Sequence, residues 1–395
     1  MTTKLAAKII AWAAAAAVLF ALPLLAPFTI LGVHIGVTQI GLIGVWVIAA
    51  LGLNIVTGYC GQISLAHGVF VTVGAFAAAL LTNRADWPFW AAVPAGGLVA
   101  AATGIPVGLP ALRLSGFHLA IVTLVLGAAI TPALVKFDGI TGGNLGLIVR
   151  SPSRPEFLDF LSKDEWLAYL CLAAAAVMTL AARNLVRSRW GRGWMATRDS
   201  ELGTQAMGIS PAYSKLLAFS ISAFYGGIAG GLYVQIMGGI TPNTFGFMAS
   251  VTLLSMVAIG GLSTLTGSVL AGAMYVIFPE VLRALSGQFP GLTVGEFTLR
   301  DLEQTPWALY AIMLIIVVST MPSGVAGVLE RRTGLTAPFR RWYREFTAPS
   351  RLAEQAFLGE HTTDRGGRTT QPADRTTNQG SSENTGHAEG EHDET

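Results

Sequence analysis

Long apolar runs, interrupted at close to bilayer spacing, constrain this chain more than any other feature. A helix that crosses a lipid bilayer needs about 20 apolar residues, because its backbone polar groups must be satisfied within the segment. Ten stretches meet that need in whole or in part: 8–30, 36–57, 62–82, 88–111, 116–136, 165–183, 214–236, 247–262, 265–285 and 307–328. Composition agrees, with 52% of the 395 residues hydrophobic and 12% charged, where soluble domains carry about a quarter charged residues. The expected fold class is therefore all-α: a polytopic membrane protein of about ten transmembrane helices. The pair at 247–285 is the least regular. Its VAIGGLSTLTGSVLAG segment is glycine-rich and fits either two spans or a broken, re-entrant pair.

The two ends differ in character. Lys4 and Lys8 precede an apolar run that exceeds the core of a cleaved signal peptide, which is about 7–15 residues, so an uncleaved first span is expected. Residues 345–395 are polar, rich in Gly, Thr and Asn, and acidic at their end. A segment of that kind buries too little apolar surface to offset its chain entropy, and a disordered tail is expected after a membrane domain at 1–344. Orientation follows from the basic residues. Lys4 and Lys8, Arg113, the group Arg183, Arg187, Arg189, Arg192, Arg198 and Lys215, and finally Arg331, Arg332, Arg340, Arg341 and Arg344 all fall on one side when ten spans are counted. That side is expected to be cytoplasmic, with both termini on it. The segments 138–164 and 286–305, poor in basic residues, then face outward.

The one long polar, arginine-rich stretch between spans is 183–215. It contains the signals of a short helix. Asp199 or Ser200 can cap its start and Glu201 suits the first turn. Leu202, Ala206 and Ile209 share a face at i, i+4, i+7 spacing, and Gly208 with Pro211 provides a stop. One or two turns of helix are unstable alone in water, so this helix needs a surface to pack on. An ordinary solvated loop is the competing reading.

Chemistry is sparse. All five lysines follow a residue other than glycine, which excludes the GK[ST] of a Walker A loop, and no HExxH, GxSxG or strand-to-helix GxGxxG occurs. Any nucleotide-driven step must come from another chain. Cys60 and Cys171 show neither CxxC nor Cys/His ligand spacing, which argues against a disulfide or metal framework. Asn54, Tyr59, Gln62, Ser64 and His67 form a polar cluster where spans two and three join. Polar groups at membrane depth face the protein interior or a water-filled path, and a hydrogen-bond lock between helices competes here with a role in translocation. TGGNLG at 141–146 and ITPNTFGF at 240–247 read as outward turns rich in backbone donors, either plain loops or part of a docking face.

Several of these segments together resemble a known family. GLNIVTGYCGQISLAHGVFVTVGAFAAALL, RLSGFHLAIVTL, TGGNLGL, GRGWMATRDSELGTQAMGISPAYSKLLAFSISAFYGGIAGGLY, ITPNTFGF and VAIGGLSTLTGSVLAGAMYVIFPEVLR occur in the order seen in the LivM-type permease subunit of branched-chain amino acid ABC transporters. The resemblance spans residues 39–327. It implies a pore-forming subunit in the cell (cytoplasmic or inner) membrane, without catalytic, metal-binding or cofactor-binding residues of its own, while ATP and magnesium are used by partner subunits. Those partners would be two ABC ATPase subunits, a second homologous permease subunit and an extracytoplasmic substrate-binding protein, with lipid around it and no nucleic acid.

The resemblance further implies that Arg198, Asp199, Glu201, Leu202, Ala206, Gly208 and Ile209, within a loop at 184–215, couple to the ATPase. Candidates for the translocation path are Asn54, Gln62, Ser64, His67 and Thr123. Candidates for extracytoplasmic docking are Thr141, Gly142, Gly143, Asn144, Thr241 and Asn243. Gly203, Thr204 and Gln205 depart from the family's usual Ala/Glu run, and Gly203 weakens the helix intrinsically. A urea or short-amide permease of the same family is the near alternative. A self-sufficient secondary transporter or channel is the distant one, and would need an intramembrane carboxylate or ion site.

Overall fold

The computed structural model describes residues 28–30, 33–114, 116–150, 152, 161–288, 293–294, 297–298, 315, 319 and 324–327, all in the first of the two units into which the chain divides, Met1–Thr333. Lys4, Lys8, most of the first and last expected spans, the basic group at 331–344 and the tail at 345–395 lie outside the described residues.

The described chain opens with an antiparallel hairpin, β1 (Phe28–Ile30) against β2 (Val33–Ile35). Helix was expected as far as residue 30. The aromatic and β-branched residues on both sides favour extended backbone instead. Helices then dominate: α1 (Val37–Asn54), α2 (His67–Arg84), α3 (Phe89–Gly108), α4 (Phe117–Lys136), the short α5 (Asp138–Thr141) and α6 (Lys163–Arg187). They continue with α7 (Arg189–Asp199), α8 (Glu201–Ala206), α9 (Pro211–Met237), α10 (Phe247–Gly260) and α11 (Leu265–Gln288). Two further two-residue ladders, β3 (Leu147–Ile148) with β4 (Gly239–Ile240) and β5 (Thr293–Val294) with β6 (Phe297–Thr298), complete the strands described.

By length and composition, five helical segments can cross a membrane: Val37–Tyr59, Phe89–Gly108, His118–Lys136, Lys163–Arg187 and Pro211–Met237. Of their most apolar windows, 89% is buried in the first and 72% in the last, against 22% in His118–Lys136. So α1 and α9 form the centre, and α4 turns most of its surface outward to its surroundings. Glycine is what lets α9 sit there. A Cβ on Gly74 of α2 would overlap the Gly227 backbone of α9, and one on Gly230 would overlap the Val71 carbonyl. Small residues of this kind allow helix backbones to touch.

Three departures from the apolar pattern shape the site. First, α1 does not end cleanly but widens into a π turn, Ile55–Tyr59. Second, the third expected span begins as helix only at His67, because residues 60–66 are non-helical and Gly61 takes φ +72°. Third, α10 has 14 residues and rises about 21 Å, less than the roughly 30 Å hydrocarbon core of a bilayer. A turn containing Ser263, whose φ is +60°, joins α10 to α11. The 247–285 segment is thus a broken pair with one short arm.

The polar stretch between α6 and α9 is more ordered than a loop with one short helix. Ser188 caps α7, its Oγ accepting from the Trp190 N–H at 3.2 Å, and α7 buries Trp194, Met195 and Thr197. Trp194 is fully enclosed and its indole Nε1 donates to the Ser214 carbonyl at 3.0 Å. That bond, with the Trp190 and Tyr213 rings 5.6 Å apart, fastens α7 along the first turns of α9.

Candidate functional site

Two helix breaks meet beneath the polar stretch. Asn54, the last residue of α1, points across to the α10–α11 turn. Its Nδ2 donates to the Thr264 carbonyl (2.8 Å) and to Ser268 Oγ (2.7 Å), and its Oδ1 accepts from the Ser263 N–H at 2.9 Å. Ser263 Oγ in turn donates to the Gly58 carbonyl in the π turn at 2.7 Å. A carbonyl at a helix terminus lacks its intrahelical partner and must find another, and the serine supplies it. Asn54, a candidate for the translocation path, is therefore placed in a satisfied interhelical bond set.

Arg198 joins this set from above. Its Nη1 donates to the Gly58 carbonyl (3.2 Å) and to Ser263 Oγ (2.7 Å), while Nε and Nη2 hold Asp199 Oδ1 at 3.1 and 3.0 Å. The arginine stem lies on Gly61, where any Cβ would strike the Arg198 Cγ. Arg198 thus turns toward the membrane domain, while the exposed Asp199 holds its guanidinium from the surface side. Capping of α8 falls to Ser200, whose Oγ accepts from the Gly203 N–H at 3.1 Å.

Beyond Ser200 the surface changes character. Leu202 is 79% exposed, Met207 65% and Ile209 38%, and Ala206 is exposed beside them. Leu202, Ala206 and Ile209 find no cover among the described residues, with Ile209 lying beyond the end of α8. The other side of α8 is anchored instead: Thr204 is buried, with its Oγ1 donating to the Ser200 carbonyl at 2.7 Å, and Glu201 Oε1 pairs with the buried Lys215 Nζ at 2.7 Å. Gly208 takes φ +76°, the left-handed close that glycine provides at helix ends. Around it Leu112, Glu201, Gln205, Ile209, Pro211 and Lys215 border a shallow hollow of about 440 Å³.

Residues 60–66 and the helices beside them carry the remaining path candidates, Gln62, Ser64, His67 and Thr123. Thr123 Oγ1 accepts from the Leu65 N–H at 3.0 Å and donates to the Ala120 carbonyl, so α4 holds the non-helical strand in place. His67 is buried, with Nδ1 3.3 Å from Ser222 Oγ of α9. Among the described residues, Thr57 Oγ1, Gln62 Oε1 and Ser64 Oγ are buried without a hydrogen-bond partner in this chain. Cys60 and Cys171 are both free and buried.

At the opposite end, pairing of β3 with β4 brings together the 141–146 and 240–247 turns. Asn83 Nδ2 and Arg84 Nη2 at the end of α2 donate to the Ile148 and Gly139 carbonyls at 2.7 and 2.6 Å. Gly142, Gly143 and Gly146 all have positive φ. Asn144 and Asn243 are exposed, whereas Thr141 turns inward, its Oγ1 donating to the Leu134 carbonyl at 2.7 Å. Thr241 is tied to Thr244 through its N–H and its hydroxyl. The exposed apolar side chains Leu145 (90%) and Ile148 (85%) stand beside them; nothing in the glycine-rich motif singles these two out.

Comparison with known proteins adds the following. Residues 35–321 match the family described as branched-chain amino acid transport system / permease component. The chain is 33% identical over 261 residues to the high-affinity branched-chain amino acid transport system permease proteins LivM of Salmonella typhimurium and Escherichia coli, covering 60% of this chain and 61% of each relative. It is 25% identical over 297 residues to the Escherichia coli LivH permease protein, covering 71% of this chain and 91% of that one. A probable branched-chain amino acid transport permease protein LivM of Methanocaldococcus jannaschii is 23% identical over 344 residues, 77% of this chain and 96% of that relative. The match thus spans about three fifths of the length of the two bacterial LivM relatives. No solved structure matches the chain.

Proposed function

The chain belongs to the family of permease components of branched-chain amino acid transport systems, and from that premise we propose that it is the pore-forming subunit of an ATP-driven importer for branched-chain or related hydrophobic amino acids. The observation that carries this reading is α8. Its Leu202 is 79% exposed at a position anchored from behind by the Lys215–Glu201 pair. An apolar face held rigidly outward on a short helix is what a separate ATPase subunit can grip, and its grip supplies the stability a helix this short lacks alone. Two ATPase subunits bind and hydrolyse magnesium-ATP, and this chain holds neither. A second, homologous permease completes the pore, and an extracytoplasmic binding protein delivers cargo at the rim formed by Asn144, Thr241 and Asn243. Both termini, Arg113 and the 184–215 stretch then lie in the cytoplasm.

The path runs past residues 60–66. Non-helical backbone at membrane depth is tolerated where it is buried in protein or lines a water-filled cavity, and a buried polar atom left unpaired costs about 1–3 kcal/mol. Thr57, Gln62 and Ser64 are placed to return that cost by contacting water or cargo. Ion-coupled transport is disfavoured by Glu280, the carboxylate near a span end, which pairs with Arg283 at 2.6 Å and accepts from Gln39 Nε2 at 3.1 Å.

The test is co-purification of the tagged chain from its native membrane, followed by uptake of leucine, isoleucine or valine into proteoliposomes. Stoichiometric ATPase subunits and ATP-dependent uptake are expected. L202D should abolish ATPase binding while leaving the chain folded, and uptake by the purified chain alone would overturn the reading.

A further inference from the structure

Arg198 occupies a position that its place in a polar loop does not require. A surface arginine would extend into water, yet its guanidinium reaches back into the membrane domain and its side chain is 25% exposed. One nitrogen, Nη1, bridges the two helix breaks by donating both to the Gly58 carbonyl and to Ser263 Oγ. The route is purpose-built at each end. Gly61, at φ +72°, leaves room for the stem where a Cβ would strike it. Asp199 accepts from the far edge of the guanidinium and fixes its plane, in the planar fork geometry that lysine cannot reproduce. Ser263 sits at φ +60°, a conformation that costs a non-glycine residue free energy and persists only where surrounding bonds impose it. Here those bonds come from Asn54, Gly58 and Arg198.

The same arginine is rigidly linked to the proposed ATPase-facing surface. It lies one residue before Asp199, the last residue of α7, which Trp194 secures to α9, and two residues before Ser200, the cap of α8. A displacement of α8 therefore pulls on Arg198, and Arg198 holds the π turn of α1 and the α10–α11 turn together.

We propose that Arg198 is a positioning residue, a strut through which movement of the ATPase-facing helix sets the separation of the two helix breaks and so the state of the permeation path. The proposal rests on the importer reading above. Its content is distinct: contact with the ATPase belongs to Leu202, Ala206, Met207 and Ile209, whereas Arg198 transmits what that contact does.

The test compares the fully assembled transporter carrying wild-type chain, R198A, R198K or S263A in proteoliposomes, recording ATPase subunits retained, ATP hydrolysed and amino acid accumulated. The expected result for R198A is retention of the ATPase subunits with at least a tenfold rise in ATP hydrolysed per solute moved. R198K, whose compact ammonium lacks the fork that serves Gly58, Ser263 and Asp199 together, recovers part of the coupling, and S263A shifts the ratio in the same direction by less. If R198A does not fold, R198K and S263A carry the test by the same ratio. An unchanged ratio in assembled variants overturns the proposal, and so does loss of the ATPase subunits from an otherwise folded R198A, which would make Arg198 a docking contact. A wild-type complex without ATP-dependent uptake would instead overturn the importer reading.

Discussion

Replacing Asn54 with alanine removes three hydrogen bonds at once from the contact between the end of α1 and the α10–α11 turn. The loss is uneven. Ser268 Oγ keeps donating to the Thr264 carbonyl, so neither group loses its last hydrogen bond, and each donated bond counts at the about 0.6 kcal/mol measured for interhelical bonds in membrane proteins. The Ser263 N–H is different. It is half-buried and loses its acceptor, which takes it to the lower end of the about 1–3 kcal/mol cost of an unpaired donor. The sum is about 2 kcal/mol, or roughly a 30-fold change in the folded-to-unfolded ratio. Unfolding of the purified chain by SDS in mixed micelles, followed by circular dichroism, reads this as a lower midpoint at unchanged slope. N54D should be at least as destabilising. It keeps the acceptor for Ser263 but sets a carboxylate against the Thr264 carbonyl, where the amide had donated. An N54A midpoint equal to wild type would show that the three bonds are replaced by water without loss, and the lock would be refuted.

Three further substitutions probe other parts of the structure. G74V should prevent folding, since a side chain there meets the Gly227 backbone and overpacking costs about 1–3 kcal/mol even where neighbours can yield; normal yield and stability of G74V would contradict the close approach of α2 and α9. W194A should cost about 3–5 kcal/mol of local stability and detach α7 from α9, seen as proteolysis within 189–210 while the spans stay intact; a protease-resistant W194A would mean that α7 is held by other contacts. T123V leaves the Leu65 N–H without its acceptor and should destabilise the chain by about 1–3 kcal/mol, while T123S, which keeps the hydroxyl, should restore most of it; equal behaviour of the two variants would remove Thr123 from the fixing of residues 60–66.

The apolar runs foretell the described spans well because a bilayer allows so few solutions: every long stretch from 36 to 285 contains a helix, and α4 and α10 begin within a residue of their apolar runs. What they miss is where a helix departs from its period inside a run. The IVTGY of Ile55–Tyr59 runs past the end of the apolar stretch at 57 with no signal of a π turn, and the partners of its Gly58 carbonyl, Ser263 and Arg198, lie more than a hundred residues away. The helix α7 is hidden for another reason. RWGRGWMATRD carries two glycines and four charges, so propensity argues against it, and only the i, i+4 pair Trp190 and Trp194, with Ser188 as a cap, signals that one side is buried. For the candidate site, spacing points to the exposed Leu202 and Ala206 of α8, whereas Ile209 falls beyond the helix end that Gly208 makes. The direction of Arg198 is not legible, because spacing does not say whether a charged side chain at a helix end turns outward or back.

The glycine contacts of α9 have a mechanical consequence. Where Gly227 meets Gly74, and where Gly96 and Gly97 of α3 approach the same two helices, main chain rests on main chain, with no rotamers between to absorb a displacement. Protein interiors are already close to incompressible, and such seams cannot slide past one another without breaking contact along their whole length. The α2–α3–α9 trio is therefore expected to move as one body. Distance labels placed on these three helices should keep fixed separations whatever the rest of the chain does.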